Sequence, residues 1–237
     1  MRKLVKADVR RILRKIVIYV FALLMYLILF IMQNKDDPSD QMDLFRAMVE
    51  FLGNFLVLVP VYLTVYGDEM KAGTMQCVIG RGMARIKVVI GKLIDCAILS
   101  GLMLFGLVLV FYLKNYIGDV NLTPKQNEIA LIYTVIVWIK LVGYYAIAGI
   151  MLFATWSSSL GLITTILLLF VRVGLQTLQE KTHLGVYDKS YSGLLEDGYN
   201  DILIGNFPWQ IIVAVVVYIG GALLITYKLF DRKELDL

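Results

Sequence analysis

A chain of 237 residues that is 59% hydrophobic and only 18% charged, with a mean hydropathy of +0.75, is too apolar for a soluble globular domain and reads as a membrane protein. Its net charge of +4 is accounted for by where the cations fall along the chain, so no nucleic-acid partner is needed to explain it.

The first stretch, "MRKLVKADVRRILRK", has seven basic residues against one acid. Leu4, Val5, Val9, Ile12, Leu13 and Ile16 gather on one half of a helix turning ~100° per residue, while Lys3, Lys6, Arg10, Arg11 and Arg14 fall on the other. Residues 1–15 are therefore expected to form an amphipathic elbow helix lying flat against anionic headgroups; an unstructured basic anchor is the alternative. Crossing ~30 Å of hydrocarbon takes about 20 apolar residues in a helix. Six runs meet that length: Lys15 to Gln33, Leu44 to Tyr66, Val88 to Leu113, Ile129 to Trp156, Ser159 to Leu178 and Trp209 to Phe230. The first is expected to be an uncleaved anchor, since no small-residue cleavage site follows it. The whole chain, 1–237, reads as one membrane domain with no internal repeat.

Lysine and arginine set the orientation. The N-terminal stretch, the loop between the second and third runs (Lys71, Arg81, Arg85, Lys87, Lys92) and the tail (Lys228, Arg232, Lys233) are basic. "NKDDPSDQMD" has one lysine against four acids, and "QEKTHLGVYDKSYSGLLEDGYND" two lysines against five. Both termini and the loop at 67–87 are expected on the cytoplasmic side of a multi-pass cell membrane, with the region 179–208 outside.

Residue types needed for catalysis are scarce. The single histidine, His183, falls in a predicted outer loop, so histidine-based metal and nucleophilic sites lack material. Cys77 and Cys96 lie on the reducing side and predict neither a disulfide nor a metal site. No G-x-x-x-x-G-K-[ST] phosphate loop occurs, so the chain is expected not to be an enzyme, and no cofactor is expected on it.

The loop between the second and third runs is more informative. Asp68 can cap a helix whose first turn welcomes Glu69. That helix, "EMKAGTMQCVI", gathers Met70, Thr74, Met75, Val78 and Ile79 toward one side, and Gly80 can close it. Gly73 inside it costs ~1 kcal/mol relative to alanine, which close packing by another surface would explain. Methionine suits an adaptable docking surface, although a helix lying on the membrane fits the same pattern.

Glu50 in the second run, Lys140 in the fourth and Arg172 in the fifth are ionisable residues placed to fall at membrane depth. A charge at membrane depth costs at least ~2.5 kcal/mol, so it turns toward protein or a watery cavity and finds a partner. Glu50 is expected to pair with Lys140 or Arg172. An ion pair locking the spans together, a polar lining for a transport path, and snorkelling of Arg172 to the interface all fit the sequence. Small residues in "GYYAIAG" (143–149) allow close helix approach. The stretch "YSGLLEDGYNDILIGNFPW" is too irregular to span, and reads either as short helices dipping into the outer leaflet or as an ordinary loop.

Taken together, a basic elbow, six runs, and a loop with an E-x-x-x-G-T core (Glu69, Gly73, Thr74) followed by Gly82, Arg85 and Lys92 resemble the permease subunit of an ABC-2 type transporter. The resemblance implies an all-α integral membrane protein with six transmembrane helices, an elbow helix and a cytoplasmic coupling helix. It implies a separate cytoplasmic ABC ATPase subunit, binding the ATP and Mg, in whose groove the coupling helix sits through Asp68, Glu69, Met70, Lys71, Gly73, Thr74, Met75, Arg81 and Arg85. A second permease copy or paralogue would complete the path as a homo- or heterodimer. The expected activity is export of a hydrophobic or amphipathic substrate, such as an antimicrobial peptide, by alternating access from a prokaryotic plasma membrane, with Asn54, Thr164, Thr165 and Arg172 joining Glu50 and Lys140 as path candidates. Two other classes remain open at this stage: an ion-coupled secondary transporter or channel using Glu50 and Lys140, and a membrane scaffold that transports nothing.

Overall fold

The computed structural model describes residues 11, 14–32, 38–67, 80, 83–182 and 185–231. These residues are all-helical, with no strand among them. Helix α1 is Ile16–Met32; α2 begins as Pro38–Leu52 and continues to Gly67; α3 is Arg85–Ile117; α4 is Pro124–Thr155; α5 is Ser158–Thr182; α6 is Tyr191–Ile204; and α7 is Trp209–Asp231. Five of them, α2 to α5 and α7, are long and apolar enough to cross a membrane. Helix α1 is apolar but has 17 residues, about 25 Å at 1.5 Å per residue. The predicted elbow helix and the core of the predicted coupling helix lie outside the described residues.

Helix α4 is the centre of the bundle and packs against α2, α3, α5, α6 and α7. Its buried positions Ala130, Thr134, Val137, Leu141, Tyr144, Ala148 and Leu152 follow the three-and-four spacing of one helix face. A capping box starts it, Thr123 accepting from Gln126 N at 3.3 Å while the Gln126 side chain takes the Thr123 N–H at 2.9 Å, with Pro124 at the first position. It ends at Trp156, whose φ of 59° is left-handed, so that the chain reverses at once into α5. The Trp156 ring stacks on Phe230 of α7 with centroids 5.3 Å apart, which offsets the cost of that backbone conformation.

Helix α2 departs from the regular pattern. It contains two wide π turns, Gly53–Val57 and Leu63–Gly67, around an α-helical turn at Leu58–Tyr62. Core positions before the first π turn are Phe45, Val49 and Leu52; from the end of that turn onward the core pairs are Val57 with Leu58, Val61 with Tyr62, and Val65 with Tyr66. The five-residue step from Leu52 to Val57 is a slip in the helical phase, and the extra residue of a π turn absorbs it. Without it the second half of α2 would turn its apolar face away from α3 and α4.

Three tyrosines fix neighbouring helices at close range in the same way. Each phenol lies over a glycine and donates to a backbone carbonyl three or four residues before it. Tyr26 of α1 donates to Met103 O at 3.1 Å over Gly106, Tyr62 of α2 to Ser158 O at 3.3 Å over Gly161, and Tyr191 of α6 to Ile139 O at 2.6 Å over Gly143. A Cβ on these glycines would stand 1.9, 1.9 and 2.2 Å from the phenol. The absent side chain opens the space, and the carbonyl's second lone pair supplies the acceptor.

Helix α6 was weighed in the sequence between a dipping helix and an outer loop. It is a 14-residue helix capped by Ser190, whose Oγ accepts from Gly193 N at 3.2 Å, and closed by Gly205 at φ 85°. Its first turn lies beside Ile139 to Tyr144, the middle of α4: Tyr144 and Ser192 hydroxyls are 2.7 Å apart, and Tyr218 of α7 donates to Lys189 O at 2.8 Å. The chain between α5 and α7 therefore returns into the bundle.

Gly143→Ala is expected to destabilise the protein by about 1–3 kcal/mol through the clash with Tyr191, whereas Tyr191→Phe, which loses one hydrogen bond and no volume, costs about 1 kcal/mol. The double variant Gly143→Ala, Tyr191→Ala should recover part of the first loss. Denaturant midpoints of the detergent-solubilised protein check all three.

Candidate functional site

The structure brings together the three charges expected within the helices. Glu50 sits two residues before the end of the regular part of α2, Lys140 is in the middle of α4, and Arg172 is on α5. The carboxylate takes both cations: Lys140 Nζ is 2.5 Å from Glu50 Oε1, and an Arg172 guanidinium nitrogen contacts the same oxygen. Tyr133, two turns before Lys140 on α4, donates to the other carboxylate oxygen at 2.7 Å. The side chains are 24%, 6% and 19% exposed for Glu50, Lys140 and Arg172. Of the sequence alternatives, pairing is observed with both partners at once. Arg172 does not reach away from the bundle, as snorkelling required.

From this cluster the Tyr187 hydroxyl leads to α6. Arg172 Nε donates to Tyr187 Oη at 3.5 Å, and Tyr187 donates to Glu196 at 2.7 Å. Burial, then the hydrogen bond to Glu196, pushes the Tyr187 phenol up to about 12, so it keeps its proton across the physiological range and acts as a donor to the carboxylate. Gln179 of α5 holds the same segment, accepting from Tyr187 N at 2.8 Å and donating to Asp188 at 2.6 Å. Also on α6, burial and then the neighbouring charges of Asp188, Glu196 and Asp201 raise the carboxyl of Asp197.

A cavity of about 210 Å³ lies over the cluster, lined by Glu50, Tyr133, Lys140 and Arg172 below and by Ser192, Glu196, Tyr199 and Asn200 of α6. Arg46, one turn before Glu50 on α2, completes it. Arg46 lies 3.5 Å from Asp43 and 5.9 Å from the Tyr199 ring centroid, and Tyr199 in turn meets Tyr133 edge to face at 5.3 Å.

The other path candidates do not join this site. Thr164 and Thr165 return their hydroxyls to Leu160 O and Gly161 O of their own helix at 2.9 and 2.8 Å, and neither lines the cavity. Asn54 is buried in the first π turn of α2, with its side-chain oxygen unpartnered among the described residues. Among the coupling residues, Asp68, Glu69, Met70, Lys71, Gly73, Thr74, Met75 and Arg81 lie outside the described residues. Arg85 opens α3 and binds the end of α7: its guanidinium donates to Phe230 O and, at 3.1 Å, to Asp231 O, with the Phe230 ring 5.3 Å away. At this same end Lys15 donates to Thr64 O of α2 at 2.8 Å.

Arg46, Tyr133, Tyr187 and Glu196 were not singled out in the sequence. Arg46 and Tyr133 had a signal, since they stand four and seven residues from Glu50 and Lys140 and so share their faces. Glu196 had none, because only the return of α6 into the bundle brings it near. The sequence also passed over Asp95, which is fully buried on α3 and lies 3.5 Å from the buried Lys92. Among the described residues no group of three or more His, Cys, Asp or Glu side chains is placed to hold a metal ion.

No protein-family model matches this chain, and a search of curated proteins finds no match either.

Glu50→Gln should be the most damaging change in the cluster, because it leaves Lys140 and Arg172 facing one another without their shared anion; a loss of about 3–5 kcal/mol is expected. Lys140→Met leaves Glu50 with Arg172 and Tyr133, and should cost clearly less. A double-mutant cycle read from thermal midpoints in detergent tests the ranking, which fails if the two single variants are equally stable.

Proposed function

We propose that this chain is the membrane-spanning permease subunit of an ATP-driven exporter of the ABC-2 type, with α1 completing six transmembrane helices and with both termini in the cytoplasm. It moves a hydrophobic or amphipathic substrate, such as an antimicrobial peptide, outward by alternating access, energised by a separate ATPase and working beside a second permease copy or paralogue. The observation that carries the reading is the position of the E-x-x-x-G-T loop between two helix ends that are tied to the rest of the bundle. Where the loop leaves α2, Thr64 O is bound by Lys15; where it enters α3, Arg85 grips the last carbonyls of α7. A cation at a helix C-terminus is well placed for both charge and hydrogen bonding. A push on a coupling helix in that loop would therefore be shared by α1, α2, α3 and α7 as one body, which is what a rigid-body switch biased by ATP binding needs.

The ion-coupled alternative takes its support from the cavity beside Glu50. Against it, both oxygens of that carboxylate are already engaged by Lys140, Arg172 and Tyr133.

Purification of the chain from its native membrane under mild extraction should recover a P-loop ATPase, and the variant Glu69→Ala, Gly73→Trp should lose it while remaining folded. Absence of any ATPase from the wild type, with transport that follows an ion gradient instead, sinks the permease reading.

A further inference from the structure

The cavity between α2, α4, α5 and α6 carries more than an internal ion pair. Its lining side chains hold three cations, Arg46, Lys140 and Arg172, against two carboxylates, Glu50 and Glu196. Lys140 and Arg172 share the one carboxylate of Glu50. Glu196 is occupied by the Tyr187 hydroxyl. Among the described residues Arg46 has a carboxylate only in Asp43, which does not line the cavity, is 77% exposed and stands at 3.5 Å. Charges in such a setting are screened weakly, so an excess cation in the wall favours an anion in the space it faces.

Hydrogen bonding points the same way. Two buried polar atoms of the lining, Arg46 Nε and Tyr199 Oη, have no partner among the described residues. Arg46 Nε–H is a donor only, and the Tyr199 hydroxyl, which can also donate, belongs to a ring whose centroid lies 5.9 Å from that guanidinium. Tyr199 is itself 7% exposed. Buried donors in native proteins find acceptors, and a charged acceptor gives the strongest bond to a guanidinium. At about 210 Å³ the space is smaller than a drug-sized pocket, and holds a headgroup with its first substituents.

We infer that this cavity is a binding site for a single oxyanion, the phosphate or similar acidic headgroup of an amphipathic molecule, held by Arg46 Nε, Tyr199 Oη and the excess positive charge of Lys140 and Arg172. The site stands whether or not a partner ATPase drives the chain. Glu196 borders it and opposes the anion, so it limits affinity and holds α6 in place through Tyr187.

The test uses the full-length protein in maltoside detergent, with lipid occupancy read by native mass spectrometry and thermal midpoints measured in parallel. The probes are phosphatidylglycerol, zwitterionic phosphatidylcholine and inorganic phosphate alone. The wild type should retain phosphatidylglycerol over phosphatidylcholine and gain thermal stability from it. Arg46→Gln should weaken retention about tenfold, Tyr199→Phe less, and Glu196→Gln should strengthen it, a gain that general damage to the fold cannot produce. Stabilisation by inorganic phosphate with the same variant order would support the oxyanion site and assign its occupant as a free anion. No preference among the three probes, or a preference that the Arg46 and Glu196 variants leave unchanged, overturns the inference and leaves the cavity to water.

Discussion

The architecture depends on one carboxylate serving two cations. Glu50 is on α2, Lys140 on α4 and Arg172 on α5, so a single side chain sets the relative height of three helices. Apolar packing between such helices is permissive about sliding, since one leucine surface substitutes for another. A buried charge is not permissive, because moving any of the three by one turn, about 5.4 Å, would strand it. The cluster is thus better understood as a register lock than as a source of net stability. Tyr133 fills the remaining carboxylate oxygen, and Tyr187 extends the lock to Glu196 on α6.

Close approach between helices is arranged by a different chemistry. Where Tyr26, Tyr62 and Tyr191 lie over Gly106, Gly161 and Gly143, each hydroxyl is satisfied by a carbonyl already paired in its own helix. The phenol brings area and a polar tip together, so burial leaves no orphan donor. These contacts connect α1 to α3, α2 to α5, and α6 to α4. The charged lock and the tyrosine contacts therefore act on overlapping pairs of helices, one fixing height and the other fixing distance.

Much of this was legible in the sequence, and for physical reasons. Long apolar runs have few alternatives, so the boundaries of α3, α5 and α7 fall within a few residues of those expected. The pairing of Glu50 followed from the cost of leaving a charge alone in hydrocarbon. Choosing between Lys140 and Arg172 was beyond the pattern, and the structure uses both. The phase slip of α2 was present in the spacing of Leu52 and Val57, yet a π turn costs a continuous helix nothing in hydropathy and leaves no mark in a window average. Helix α6 was ambiguous because its apolar and acidic residues alternate irregularly; its place is set by Ser190, Gly143 and Gly205 rather than by any periodicity. Thr164 and Thr165 illustrate the opposite failure, since a polar residue in an apolar run is satisfied as readily by its own helix as by a path.

Helix α2 links the two ends of the molecule. It reaches the 68–84 loop at Gly67 and carries Glu50 about 25 Å away along its axis. Both π turns lie between these points. A π turn is a wider ring whose hydrogen bonds can shift by one residue, so it is where a helix changes phase at least cost. Such a shift would rotate the part of α2 bearing Glu50, Arg46 and Phe45 relative to the part bearing Tyr62 and Tyr66, which Tyr62 keeps fixed to α5. The charge cluster and the cavity above it would feel that rotation first, because Arg46 and Glu50 both line the cavity and stand one turn apart on the rotating segment. The geometry that locks the bundle in one register is in this way also the part of the bundle most sensitive to a displacement begun at its other end.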